Sequence, residues 1–356
     1  MVNNVYGTFV SQKISKIRWK PSNACDSFLT GSWDDEENKI VLWRYTKTDS
    51  EDALVKPRAQ CSVFHDGDVT ELKFMDSSIF AVSSTTGCIK LYSIFQEDEK
   101  SQFKLLNSWK KVHSFSTGDL CPSTDITFFE DYIVSVGEDG RIVLISVKDN
   151  EPYRIIDNAD SCSIRCVSIN KMNEILTGNS RGQMKVWDLR SFSHSPETCF
   201  TLSGGQAGFT RVTYHPTQTH IKLAGGEDGT ITIWDLRNNK FAVNSLNAHS
   251  QTVSELMFHP ERPEHLFSCS TNGQLWHWDS SKLSHTTISQ FAGESSDLLE
   301  DTGCPWMSRN VKNRITVYSL IQNLHLPINS LDILQNSVVC GCDNEAMYLI
   351  KDFTVS

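Results

Sequence analysis

The sequence predicts an all-β protein, a seven-bladed β-propeller closed by its own N-terminal strand. Three observations predict it: a turn-and-strand phrase that recurs along the 356 residues, a count of seven such phrases, and a surplus strand at the start matched by a missing one at the end.

The phrase is clearest in "GGEDGTITIWDLR" (225–237) and "TGNSRGQMKVWDLR" (177–190), where a glycine precedes an aromatic residue by five positions. Gly229 with Trp234 and Gly182 with Trp187 set this ruler, and Gly87 with Tyr92 and Gly273 with Trp278 also fit it. Gly140 with Ile145 keeps the glycine alone, while Asn38 with Trp43 and Glu345 with Ile350 close the series in weaker form. The first five gaps between these seven anchors run from 42 to 53 residues and the last is 72. A WD-type blade of four short strands needs roughly 40–45 residues, so the spacing implies seven blades and one insertion.

Each unit accounts for its own residues. "DYIVSVGEDGRIVLISV" is two alternating β-branched runs joined at Glu138-Asp139-Gly140, residue types that suit a tight hairpin. Asp228 stands in the same place before Gly229. "VTYHP" and "LMFHP" end at Pro216 and Pro260, which cannot continue a ladder, and so read as innermost strands leaving the axis. Strands at 13–20, 27–33, 39–45 and 59–64 fill the first blade, leaving "VYGTFV" at 5–10 without one. The last blade runs out of chain after a third strand near 346–352, so 5–10 is expected to pair there and remove two exposed sheet edges. One propeller over 1–356, with an acidic and polar insertion at 283–312 in the sixth blade, is the predicted organisation.

A formal charge of -10 argues against a protein whose main task is to grip phosphate backbones. The eleven cysteines include Cys88, Cys166, Cys269 and Cys340 inside apolar runs, a distribution that suits a reducing compartment. No signal-peptide pattern or apolar run long enough to span a membrane is read, and no basic cluster resembles an import signal. A cytosolic or nuclear protein is expected, its nuclear residence depending on a partner or on entry during assembly.

The candidate chemical residues read as structural. Trp187-Asp188, Trp234-Asp235 and Trp278-Asp279 end third strands, and His65 and His249 precede inner strands. By likeness to WD-repeat proteins, such histidines join a buried network of His, Ser or Thr, Trp and a turn Asp. His249 is expected to meet Ser268 and Trp278, though Asn272 replaces the acid, and His65 faces Tyr92 in place of a tryptophan. The pairs His215/His220 and His259/His265 bracket turns and lack the third ligand that zinc needs. No nucleophile elbow, P-loop or cofactor fingerprint is found, so neither an enzyme nor a cofactor is expected.

Trp306 and Met307 in the insertion either pack back as a plug or anchor a partner, since exposed Trp is enriched among binding hot spots. The insertion, "TKTDSEDAL" (46–54) and "FQEDEK" (95–100) all follow third strands and are expected as acidic loops on one face. They either solubilise that face or dock a basic partner.

With the repeats in register, "FVSQKISKIRWKP", "TGSWDDEENKIVLW", "VSVGEDGRI", "IDNADS", "HPERPEHLFSCSTNGQLWHWD" and "SVVCGCDNEAMYL" resemble the small WD-repeat nucleoporins of the Y-shaped outer-ring complex of the nuclear pore. The likeness reaches both termini and weakens at 95–125 and 283–312. It implies a non-catalytic scaffold at the nuclear envelope, a monomeric propeller within a hetero-oligomer, docked on an α-solenoid nucleoporin in a short arm of the Y. Support for pore assembly, protein transport and mRNA export, and a presence at kinetochores in mitosis, are further implications; direct nucleic-acid contact and membrane insertion are not. A different resemblance rests on Trp187-Asp188-Leu189-Arg190 and Trp234-Asp235-Leu236-Arg237. Substrate receptors of cullin-four ubiquitin ligases use a Trp-Asp-x-Arg pattern, with arginines placed like Arg190 and Arg237, to contact their adaptor. A peptide-reading propeller is a third class, for which no aromatic cage is identified.

Overall fold

A computed structural model describes residues 4–351 and 353, apart from 23–25, 46–55, 99, 172, 203–206, 238–240, 282–303, 308–310, 312–314 and 323. Seven four-stranded antiparallel sheets make up the described structure. Blade 1 holds β2 (Ile14–Trp19), β3 (Ser27–Ser32), β4 (Lys39–Tyr45) and β5 (Pro57–Phe64), and β1 (Asn4–Phe9) lies outside it. Blade 2 holds β6 (Val69–Phe74), β7 (Ile79–Ser84), β8 (Ile89–Glu97) and β9 (Lys100–Trp109). Blade 3 holds β10 (Ser123–Phe129), β11 (Tyr132–Gly137), β12 (Ile142–Ser146) and β13 (Pro152–Ile156). Blade 4 holds β14 (Ile164–Lys171), β15 (Glu174–Asn179), β16 (Gln183–Asp188) and β17 (Thr198–Thr201). Blade 5 holds β18 (Phe209–Tyr214), β19 (Ile221–Gly226), β20 (Thr230–Asp235) and β21 (Asn244–Asn247). Blade 6 holds β22 (Val253–Phe258), β23 (His265–Ser270), β24 (Leu275–Asp279) and β25 (Thr316–Ile321). Blade 7 holds β26 (Ile328–Leu334), β27 (Ser337–Cys342) and β28 (Ala346–Lys351).

Blade 7 is completed by β1, which pairs antiparallel with β28 from Asn4↔Lys351 to Phe9↔Ala346. The first and last segments of the fold thus share one sheet, as their alternating patterns require. At the same seam Gly341 is needed, because a Cβ there would lie 2.2 Å from Cγ2 of Ile14 on blade 1. Glu345 takes the ruler's glycine position in blade 7 and holds φ at 59°, a left-handed conformation costly for a side chain that is neither Gly nor Asn.

The core lies between blades. Leu29, Ile40 and Leu42 of blade 1 pack with Leu72, Phe80 and Tyr92 of blade 2, and Ile14, Ile17 and Phe28 pack with Val339, Met347 and Leu349 of blade 7. No blade can bury its apolar faces alone, so stability depends on completing the ring.

One expectation about loops changes. Residues 95–97 and 100 are strand and not loop: Phe95↔Gln102, Gln96↔Ser101 and Glu97↔Lys100 extend the β8/β9 hairpin as far as Asp98, whose φ is 48°. Residues 46–54, and all of 283–312 except Cys304–Met307 and Val311, lie outside the described residues.

Candidate functional site

The inner strands β2, β6, β10, β14, β18, β22 and β26 share one irregularity. Each slips register between its first and third residues, from Ile14/Lys16 in β2 to Ile328/Ser330 in β26. A bulge re-aims the side chains that follow it. The third residues are Lys16, Glu71, Asp125, Cys166, Arg211, Glu255 and Ser330, and most of them meet in a buried ion-pair network at the axis. Arg18 Nη2 lies 2.6 Å from Glu71 and 3.0 Å from Glu255, so one guanidinium joins blades 1, 2 and 6. Arg211 reaches Glu71 and Glu255 at 3.3 Å each and Asp125 at 3.7 Å, and Lys16 lies 3.4 Å from both glutamates.

Burial alone would raise the glutamate pKa values, but the surrounding Arg18, Lys16 and Arg211 hold Glu255 at about 2 and Glu71 well below the ordinary range. Burial lowers Lys16, raises Asp125, and pushes Asp332 up to about 6. Asp332 accepts from Trp19 N at 2.7 Å, and Asp125 accepts from Val167 N at 2.9 Å, so each carboxylate stitches its inner strand to the next blade. Charges this deep are costly unless paired, and here they pair with each other. A cavity of about 690 Å³ lies toward the ends of the inner strands, lined by Phe74, Phe128, Ile169, Tyr214, Pro216 and Pro260 among others.

Blade 3 carries the most complete histidine network. His113 Nδ1 lies 2.9 Å from Asp139 Oδ1, and its Nε2 lies 2.8 Å from Ser135 Oγ, which contacts Ser123 Oγ at 2.9 Å. Burial would raise the Asp139 pKa, but the bonds from His113 and from backbone amides lower it. The residue types match a hydrolytic triad, but His113, Ser135 and Ser123 are wholly buried, and a nucleophile must reach a substrate. The geometry fixes the hairpin and the second strand instead.

In blade 6, His249 Nε2 contacts Ser268 Oγ at 2.8 Å, and Trp278 Nε1 donates to the same oxygen at 2.9 Å. Asn272 turns instead to Ser250 and Gln274, leaving His249 Nδ1 without a partner. His65 departs further from the expected network, since neither ring nitrogen has a partner in its buried site. Tyr92, in place of a tryptophan, stacks on Phe80. Burial lowers both histidines, His65 to about 3 and His249 to about 4.

Trp187 donates to Thr177 Oγ1 at 3.0 Å and Trp234 to Thr232 Oγ1 at 2.8 Å. Asp228 caps its hairpin through Thr230 N and Oγ1, and Asp279 accepts from Ser281 N. Arg190 forks onto Asp188 at 3.1 and 2.8 Å, and Arg237 onto Asp235 at 3.0 and 2.7 Å. Both aspartates are thereby committed within their own turns. Among the described residues, no group of three or more His, Cys, Asp or Glu side chains is arranged to hold a metal ion, and no disulfide joins two cysteines.

A family model described as the EIPR1 beta-propeller matches residues 3–278. The Homo sapiens protein named Nucleoporin Nup43 is 37% identical over 380 residues, covering 98% of this chain and 99% of its own length, and the Mus musculus Nucleoporin Nup43 gives the same values. The chain belongs to the Nup43 family. A more distant Nup43 relative, the nuclear pore complex protein nup43 of Dictyostelium discoideum, is 28% identical over 66% of this chain and 54% of its own length.

For a Nup43-family propeller the insertion residues take on a defined part. Trp306 is not an exposed anchor: it is fully buried, edge-on to Phe258 at 5.5 Å, and donates Nε1–H to Pro263 O at 3.1 Å. Met307 packs on the same cluster between blades 5 and 6. Trp306 thus packs back on the propeller, as in the plug reading of this pair. Sequence reading missed the axial ion pairs and His113. The axial signal is present as a charged third residue in "ISKIRW", "VTELKF", "FTRVTY" and "VSELMF", whereas His113 lies in the stretch where the family likeness is weakest.

Proposed function

We propose that this protein is a non-catalytic scaffold subunit of the Y-shaped outer-ring complex, held by an α-solenoid nucleoporin in a short arm. In that position it supports pore assembly, nucleocytoplasmic protein transport and mRNA export, and it accompanies its complex to kinetochores in mitosis. The observation that carries the reading is a family likeness running from the closing strand β1 through the last blade, so that the whole ring is what is shared. A rigid ring offers a partner its faces and rim without needing to move. The buried triad-like residues of blade 3 and the self-neutralised axis are consistent with a part that binds by its surface and performs no chemistry.

The experiment is quantitative affinity capture of the tagged full-length chain from cells, in parallel with R190A/R237A. Outer-ring nucleoporins recovered in near-equal amounts with both forms are expected. Recovery of a cullin-four adaptor that disappears with the double substitution, without nucleoporins, would replace this reading with the ligase-receptor one.

A further inference from the structure

The rim of blades 2 to 4 is unusual in two ways. Leu105 and Leu106 on β9, Tyr153 and Ile155 on β13, and Phe192 after β16 are between 40 and 80% exposed. Single exposed apolar side chains are ordinary, but a connected series along one rim is not. The connection is physical. Asn107 Nδ2 and Trp109 Nε1 both donate to Asp149 O, at 3.1 and 2.9 Å, which ties β9 to the turn before β13. Arg154 of β13 donates to Leu189 O at 3.1 Å and Ser193 O at 2.9 Å, and lies 5.6 Å over the Phe192 ring. Each outer strand is thus bound to the next blade's turn, and the exposed apolar side chains recur along this strip of three linked blades.

The second anomaly is charge. The surplus sits at β9: residues 100–111 hold four Lys and no Asp or Glu, in a chain with 33 Lys and Arg against 43 Asp and Glu overall, whereas 147–157 hold two basic against three acidic residues and 188–194 one against one. Lys104, next to the leucines, and Lys110 and Lys111, just past the end of β9, are exposed. Lysines on an outer strand also discourage unwanted strand pairing, but that device needs no apolar residues facing water. Here the register slip between Leu91 and Tyr92 leaves Leu106 as an extra residue, and two consecutive leucines are exposed.

We propose that this strip docks an acidic amphipathic helix of a neighbouring subunit, a proposal that rests on the scaffold reading above. Apolar anchors flanked by uncommitted lysines match a helix with one apolar and one acidic face. A strand added to β9 would engage one blade edge, whereas the strip crosses three blades.

The test uses the tagged full-length chain in cells, with photobleaching recovery at the nuclear rim and lysine crosslinking read by mass spectrometry. K104E/K110E/K111E changes only exposed side chains, L105S/L106S removes the apolar anchors, and Phe64→Ser alters an exposed aromatic on blade 1 as the control. Thermal unfolding of each purified variant checks its fold. Residence at the rim about tenfold shorter in both strip variants and unchanged in the control is expected, with crosslinks from Lys104, Lys110 and Lys111 falling in an Asp/Glu-rich helical segment. Normal residence of both strip variants, or crosslinks into a basic or non-helical segment, would overturn the proposal. Absence of the unmodified chain from the rim would instead count against the pore reading, leaving the crosslinks from captured complexes to decide the surface.

Discussion

Lys222 stands where the repeat calls for a hydrocarbon. The second-strand residues facing the ruler's end are Phe28, Phe80, Ile133, Ile175, Leu266 and Val338 in six blades, paired with Trp43, Tyr92, Ile145, Trp187, Trp278 and Ile350. In blade 5 the residue facing Trp234 is Lys222, completely buried, with an amine that has no hydrogen-bond partner and lies 5.0 Å from the Tyr214 ring. Burial pulls its pKa from 10.5 to about 7. At about 1.36 kcal/mol per pH unit of displacement, keeping this amine protonated costs the fold on the order of 3–5 kcal/mol. The cation–π contact offsets roughly 1 kcal/mol of that.

Lys222→Met is therefore expected to stabilise the protein by several kcal/mol at pH 6.5. The sign follows from the lowered folded-state pKa. The penalty is full below about 7, shrinks as the amine loses its proton between about 7 and 10.5, and is gone above that range. Urea denaturation at pH 6.5, 7.5 and 9 reads it directly, with the gap between variant and parent narrowing as pH rises. A variant no more stable than the parent at pH 6.5, or a gap that ignores pH, would refute the reasoning.

The remaining expectations concern closure and packing. Deleting residues 1–11 strips β1 from β28 and should leave an insoluble or sharply destabilised chain; an unchanged melting temperature would count against closure. Arg18→Met leaves Glu71 and Glu255 short of a buried partner and should cost about 3–5 kcal/mol in denaturant unfolding. Trp306→Ala empties a site between blades 5 and 6 and should cost about 3–5 kcal/mol, which calorimetry would register as a lower melting temperature.

Periodicity made the ring legible because every blade repeats the same two demands, a hairpin after the second strand and an aromatic or aliphatic residue five positions past the turn. The first blade's strands fall within two residues of the expected bounds, and the pairing of β1 with β28 followed from counting strands. What escaped notice was side-chain direction. Arg18 and Arg211 sit in strands that alternate like any half-buried strand, and only the bulge ahead of them shows that they converge on the axis. Trp306 was ambiguous for a related reason, since a tryptophan in a polar insertion looks the same whether it faces water or its own core. At 95–100 the acidic composition suggested a loop, but cross-strand pairing continued past the point where apolar alternation ended.

The most direct measurement of the central claim is the position of the endogenously tagged chain in intact cells at single-pore resolution. Rings at the nuclear envelope, in constant ratio to outer-ring nucleoporins, are the predicted result. A diffuse signal, or one that follows ubiquitin-ligase components in place of pores, would contradict it.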